Sequence, residues 1–254
     1  MRADTTGPDP IMTETDNNAD NEPCPDSPDE LLPHGLTFSP CGKAAGRPRT
    51  ADMEARLDNL LAHATRLFLE KGFSNVSLET IAREAHVAVR TIYVKFGGKA
   101  GLLNAAVSSV RSRYFSTMAD MDTDQRPIEQ ILTDYGQRLL ELVSTSNAVR
   151  MHRMVIAEAS TNPSLAESFY AASIGQSRVA LSRYFSRPDI RPLFREQLSV
   201  ETLIIHFKNC LMGDQTNRLL FDSPAPLTEA ELRAKVELGL DLFFRACLRQ
   251  PDRR

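Results

Sequence analysis

Several chemistries are excluded by what the chain has too little of. Its four cysteines, Cys24, Cys41, Cys210 and Cys247, lie far apart and form no C-x-x-C pair, so neither a zinc site nor a thioredoxin-type motif is expected, and nothing calls for a disulfide scaffold. No apolar run approaches the ~20 residues that a bilayer-crossing helix needs. The first residues are polar and acidic where a secretory leader is basic and then apolar, which points to a cytoplasmic protein without a membrane partner. Gly97-Gly98-Lys99 runs into Ala100, with Tyr93 where the first glycine of a phosphate loop belongs. There is no G-x-S-x-G, and none of the five histidines has a glutamate three residues before it, which removes the nucleophile elbow and the di-iron bundle. No catalytic residue, metal or cofactor is therefore expected, and the chain does not read as an enzyme. Period-two alternation is missing too, so no strand is required.

Charge is unevenly distributed along the 254 residues. The net charge is −3, yet residues 1 to 42 carry nine carboxylates against Arg2 alone, leaving the rest of the chain basic at +5. That segment also holds seven of the fifteen prolines and few aliphatic residues. It cannot offset its ordering entropy, and residues 1–45 are expected to form a disordered acidic tail. Next comes Gly46-Arg47-Pro48-Arg49, which reads either as a basic linker or as an arginine arm for a minor groove, with Arg47 and Arg49 the candidate contacts.

From Thr50 onward the apolar residues recur at helical spacing. Leu57, Leu60, Leu61, Ala64, Leu67 and Phe68 form one stripe that ends at Gly72, a left-handed C-terminal position, with Phe73 folding back. Ser77 caps a short helix that buries Leu78, Ile81, Ala82 and Ala85. Another runs from about Ala88 to Phe96. Longer amphipathic segments follow: one from Lys99 toward Met118, one opened by Pro127, one over Val149 to Ala159, one from the Asn162-Pro163 cap to Phe185, one from Ser199, and a last one from the Thr228/Glu231 capping box to about Arg249. The fold class expected is all-α, with an N-terminal three-helix unit over 46–100 and a helical domain over 101–250.

Two short helices joined by a tight turn are the sequence form of a helix-turn-helix. At ~100° per residue Ala88, Ile92 and Phe96 share a core face, while Val89, Arg90, Tyr93 and Val94 point away from it. An outward arginine can give guanine two hydrogen bonds, and a valine can meet a thymine methyl. Glu70-Lys71-Gly72-Phe73, Val76-Ser77, Ile81-Ala82-Arg83-Glu84-Ala85, Val87 to Tyr93 and Phe96-Gly97-Gly98-Lys99 follow one another in order. In this the segment from Gly46 to about Leu103 resembles the tetracycline-repressor (TetR) family. The resemblance implies that Tyr93, Lys99, Ser77 and Thr91 hold DNA phosphates and that Val89 and Arg90 reach bases, with Ala88 and Lys95 in the same DNA-binding set. It also implies a repressor that binds a palindromic operator as a dimer and is released by an effector. The sequence departs from the family pattern at His86, where the turn usually has glycine, and at Ala88, where the recognition helix usually has a capping serine.

The C-terminal half resembles the family only in its helical layout and in phrases such as Met154-Val155-Ile156-Ala157-Glu158-Ala159. The last helix is apolar over a wide arc. Leu232, Val236, Leu240 and Phe243 make one stripe, broadened by Leu238, Leu242 and Cys247, and the helix of Leu203, Phe207 and Leu211 is its companion. One domain cannot cover so wide an arc, so these stripes are the expected homodimer interface. Tyr114, Phe115, Met118, Tyr135, Met151, Met154, Phe169, Tyr170, His206 and Cys210 give the central helices the aromatic and sulfur content of a pocket for a small hydrophobic effector. Each is also an ordinary core residue by type, and His206 reads as a core or interface histidine. The rival reading is a DNA-binding protein whose bundle serves only dimerisation.

Overall fold

The computed structural model describes residues 50–221 and 227–249; the acidic segment 1–45 and the arm with Arg47 and Arg49 lie outside them. Helix α1 (Thr50–Lys71) buries Leu60, Leu61, Ala64, Leu67 and Phe68 and stops at Gly72, whose φ of +83° and N–H bond to Phe68 O (2.9 Å) make the left-handed end its sequence implies. The Phe73 ring returns onto Phe68 at 5.3 Å. Helix α2 (Leu78–Glu84) is capped by Ser77 Oγ, which accepts the Thr80 N–H at 3.2 Å. Then come α3 (Val89–Phe96) and α4 (Lys99–Phe115), separated by Gly97 in the left-handed region.

The remaining helices are α5 (Ile128–Ser144), α6 (Ser146–Glu158), α7 (Pro163–Tyr170), α8 (Gln176–Phe185), α9 (Val200–Met212), α10 (Gln215–Phe221) and α11 (Glu229–Cys247). Asn162 and the Thr228/Glu231 box cap α7 and α11 as their sequences imply. Residues 163–185, expected as one helix, are interrupted by a π turn at Ala171–Gly175, where Ser173 Oγ donates to Phe169 O at 2.6 Å and competes with the main-chain ladder. Helix α10 adds an element to those expected from the sequence; Asp214 stands directly before it and accepts from Asn217 Nδ2 at 3.3 Å. Among the described residues there is no strand, only an isolated bridge between Phe194 and Leu248, and no helix long and apolar enough to cross a membrane.

Two hydrophobic clusters hold these helices, and they do not divide the chain at residue 100. The first joins the apolar faces of α1, α2, α3 and early α4 to Met151 and Val155 of α6 and to Leu165 and Phe169 of α7. The second contains the inner faces of α5, α8, α9 and α11, with rings of Tyr135, Phe185, Phe194, Phe207 and Phe243 at its centre. The N-terminal unit is thus completed by two helices that arrive some fifty residues later.

The expected dimer stripes have a different role. Leu203, Phe207, Leu211, Leu232, Val236, Leu240 and Phe243 are all buried within the chain's own second cluster, as is Cys247. Helices α9 and α11 face each other so closely that a Cβ at Gly239 would sit 2.7 Å from Cys210 O. The stripe was apolar because the chain packs on itself there. On α9 and α11 the large apolar side chains left exposed are Ile205, Leu238 and Leu242, with 44%, 63% and 50% of their surface exposed.

Candidate nucleic-acid interface

The turn between α2 and α3 is built from main-chain bonds. Ala85 N–H donates to Ile81 O at 2.9 Å and Val87 N–H to Ala82 O at 2.9 Å, which sends the chain through His86 at φ +53°. His86 is the one non-glycine residue with positive φ among the described residues, at the position where the sequence departs from a glycine. Ala88 then starts α3 with extended backbone and no side-chain cap.

On α3 the face assignment needs correction at two positions. Ala88 precedes the helix and is exposed, so it is not a core residue, while Val89 is half-buried against the first cluster. The inner face is Val89, Ile92 and Phe96, spaced i, i+3, i+7 and so within about 60° of one another around the helix. Arg90, Thr91, Tyr93, Val94 and Lys95 are exposed, Tyr93 by 55% and Val94 by 77%. These five side chains contribute little to the fold and present a cationic, hydroxyl-rich surface with one aliphatic patch. Ser77, also exposed, uses its oxygen to cap α2.

Lys99, expected at a phosphate, has its ammonium on the main chain: Nζ donates to Phe73 O (2.7 Å), Val76 O (2.9 Å) and Ser74 O (3.4 Å) and lies 4.5 Å from the Phe73 ring centre. Burial pushes its pKa down, with the Glu158 charge acting in the opposite direction. Across the loop, Arg66 of α1 pairs with Glu70 at 2.8 Å and with Glu84 of α2, locking α1 and α2 together. Neither Glu158 nor Arg66 was singled out from the sequence. The one signal for Glu158 was an acid at the C-terminal end of a helix, where the dipole disfavours it.

The ten effector candidates do not converge on one site. Phe115, Met118, Tyr135 and Cys210 belong to the second cluster, with Phe115 and Tyr135 rings 5.2 Å apart. Met151, Met154 and Phe169 belong to the first, and Tyr114 is half-buried outside both. Tyr170 and His206 are exposed, so His206 is not a core histidine. A cavity of about 290 Å³ lies between α1, α4 and α6, lined by Leu61, Arg66, Val110, Arg113 and Arg150 among others, and by none of the ten. The hydroxyl of Tyr135, by contrast, is buried with no hydrogen-bond partner.

A helix-turn-helix whose second helix turns an unpacked polar face outward, fused to a helical bundle, is the architecture of a one-component DNA-binding regulator. Residues 60–106 match the model of bacterial regulatory proteins of the tetR family, and residues 130–247 match that of the AefR-like transcriptional repressor C-terminal domain. The chain belongs to the TetR family. It is 29% identical over 94 residues to the HTH-type transcriptional repressor ComR of Escherichia coli, covering 37% of this chain and 43% of that one. A probable HTH-type transcriptional regulator of Bacillus subtilis, YttP, is 37% identical over 78 residues, 30% of this chain and 38% of the relative. The matched part thus spans about two-fifths of the length of these curated relatives. In fold, the chain is similar to the crystal structure of a TetR-family regulator from Mesorhizobium loti, with TM-score 0.63 and 22% identity over 77% of this chain and 98% of the other.

Proposed function

We propose that the protein is a ligand-responsive transcriptional repressor: a dimer that reads a partly palindromic operator through α3 and releases it when a small hydrophobic effector binds. The observation that carries this is the outer face of α3, where Arg90, Thr91, Tyr93, Val94 and Lys95 stand exposed on a helix otherwise anchored by Val89, Ile92 and Phe96. In this reading Arg90 reads a base, Val94 and the exposed part of Val89 offer methyl contacts, and Tyr93, Thr91, Lys95 and Ser77 hold phosphates. Lys99 acts at one remove, by fixing the loop ahead of Ser77. Exposed Ile205, Leu238 and Leu242 make the face toward the second copy, and two-fold symmetry of the protein calls for two-fold symmetry of the site. The effector's seat is the aromatic corner of Phe115, Tyr135 and Phe207, where the unpartnered Tyr135 hydroxyl offers a bond to a ligand otherwise held by apolar contact.

Selection of bound duplexes from a random pool, followed by anisotropy titration, tests the reading. An enriched inverted repeat is expected. Arg90→Ala should cost about 1–3 kcal/mol on it and relax one base position per half-site. Lys99→Ala should lower the melting temperature while leaving the salt dependence of binding unchanged, because its charge already faces carbonyls rather than phosphate. Equal loss on selected and random DNA in Arg90→Ala would refute the base-reading role.

A further inference from the structure

We propose that Glu158 is a positioning residue for DNA reading: from the last position of α6 its carboxylate holds the loop between α1 and α2, so that the setting of the recognition helix is governed through α6. This rests on the reading of the chain as a DNA-binding regulator. One carboxylate oxygen accepts the Ser74 hydroxyl at 2.6 Å and the other accepts the Ser74 N–H at 3.1 Å, across 84 residues of chain. The same short loop is held from α4, where the Lys99 ammonium takes the carbonyls of Phe73, Ser74 and Val76. An anion on the loop's donors and a cation on its acceptors leave it little freedom. Immediately after it stands Ser77, the cap of α2, and α2 packs on α3.

Helix α6 is fastened to the DNA-reading unit at a second point, where Arg150 Nη2 donates to Leu69 O in the last turn of α1 at 2.8 Å. Between Arg150 and Glu158 the side chains of Met151 and Val155 are buried in the cluster that forms the core of that unit. The helix therefore meets the reading head as a rigid rod bonded at two points with an apolar contact between them. A carboxylate at the C-terminal end of α6 also opposes the helix dipole, and that helix has no basic residue in its last turn. Such a locally unfavourable residue is explained by what it holds in the tertiary structure. A fixed loop presents α3 pre-oriented, and binding then forfeits less freedom when the helix enters the groove.

The experiment uses the full chain, its selected operator duplex, and the variants Glu158→Ala, Glu158→Gln, Ser74→Ala and the Glu158→Ala/Ser74→Ala double change, each checked for helicity and melting temperature. Glu158→Ala should weaken operator binding about tenfold, the scale of one charge-assisted hydrogen bond, without altering the salt dependence. Glu158→Gln removes the same charge but keeps an acceptor, and should fall between wild type and alanine. Ser74→Ala should add nothing to Glu158→Ala, since the hydroxyl bond it removes is already lost, with the N–H bond, when the carboxylate is gone. Unchanged operator affinity in folded variants, fully additive losses, or tighter binding would each overturn the proposal; a residue that only stabilises the fold would shift melting and leave the affinity of the folded protein alone. If wild type enriched no duplex, the regulator reading would fall, and this role with it.

Discussion

Lys99 and His86 each adopt an arrangement that their immediate neighbours alone would not favour. The Lys99 ammonium is partly desolvated, and its three donors are matched by three carbonyls of the loop that follows α1. His86 sits at φ +53°, a region that costs a side-chain-bearing residue free energy because Cβ crowds the following carbonyl. The turn imposes that conformation through its two main-chain bonds. His86→Gly should therefore stabilise the protein by about 0.5–1 kcal/mol, the relief of strain being partly offset by the larger entropy of an unfolded glycine. Thermal melts of the two proteins check this; a lower melting temperature in the variant would mean that the exposed imidazole makes a compensating contact.

Helices α9 and α11 are the element pair on which the second cluster depends. Their approach is set by Gly239, where an added Cβ would lie 2.7 Å from Cys210 O and 3.1 Å from Leu211 Cα, both main-chain atoms that cannot swing aside. Gly239→Ala gains about 1 kcal/mol of helix propensity. It should nonetheless be destabilising by about 1–3 kcal/mol net, because overpacking must move one helix off the other. Urea unfolding at equilibrium measures the difference, and a gain in stability would show that the pair can separate without loss. Helix α6 illustrates the opposite case, an element whose buried side chains join the N-terminal unit: Met151 and Val155 are buried with α1 to α4, although the chain reaches them after α5.

For the whole molecule, the two clusters separate what a single chain needs from what a second copy would cover. Phe243 is fully buried and the ring centres of Phe185, Phe194 and Phe207 lie within 5.9 Å of its own. Phe243→Ala should cost about 3–5 kcal/mol of fold stability whatever the oligomeric state. Leu238→Glu with Leu242→Glu should leave the fold intact, since both positions are already half or more exposed, and should convert a dimer to monomers that bind the operator far more weakly. Light scattering and circular dichroism on the same samples distinguish the two results. Monomers that unfold would place these leucines in the chain's own core after all, and an undiminished dimer would move the interface elsewhere.

The sequence by itself determined the class of fold, the helix-turn-helix and most helix ends. Each of these is decided within a few residues: a 3.6-residue apolar period, Gly72 for a left-handed end, Ser77 and Thr228 for caps. The exposed set on α3 followed from the same local geometry, except at Ala88 and Val89: Ala88 lies ahead of the helix and is exposed, while Val89 falls within about 60° of Ile92 and Phe96 and shares their inner face. Only the tertiary structure decided which apolar stripes meet within the chain. A period reports that Leu232, Val236 and Phe207 are covered but carries no information about what covers them, so an intrachain contact and an interface between copies look alike in sequence. The same holds for charges, since nothing local distinguishes a Lys99 aimed at phosphate from one bonded to three carbonyls. Nor does local sequence reveal that Glu158, 84 residues from Ser74, closes the loop between α1 and α2. Those pairings depend on long-range packing, which brings α6 onto the N-terminal unit and leaves Leu238 and Leu242 outside.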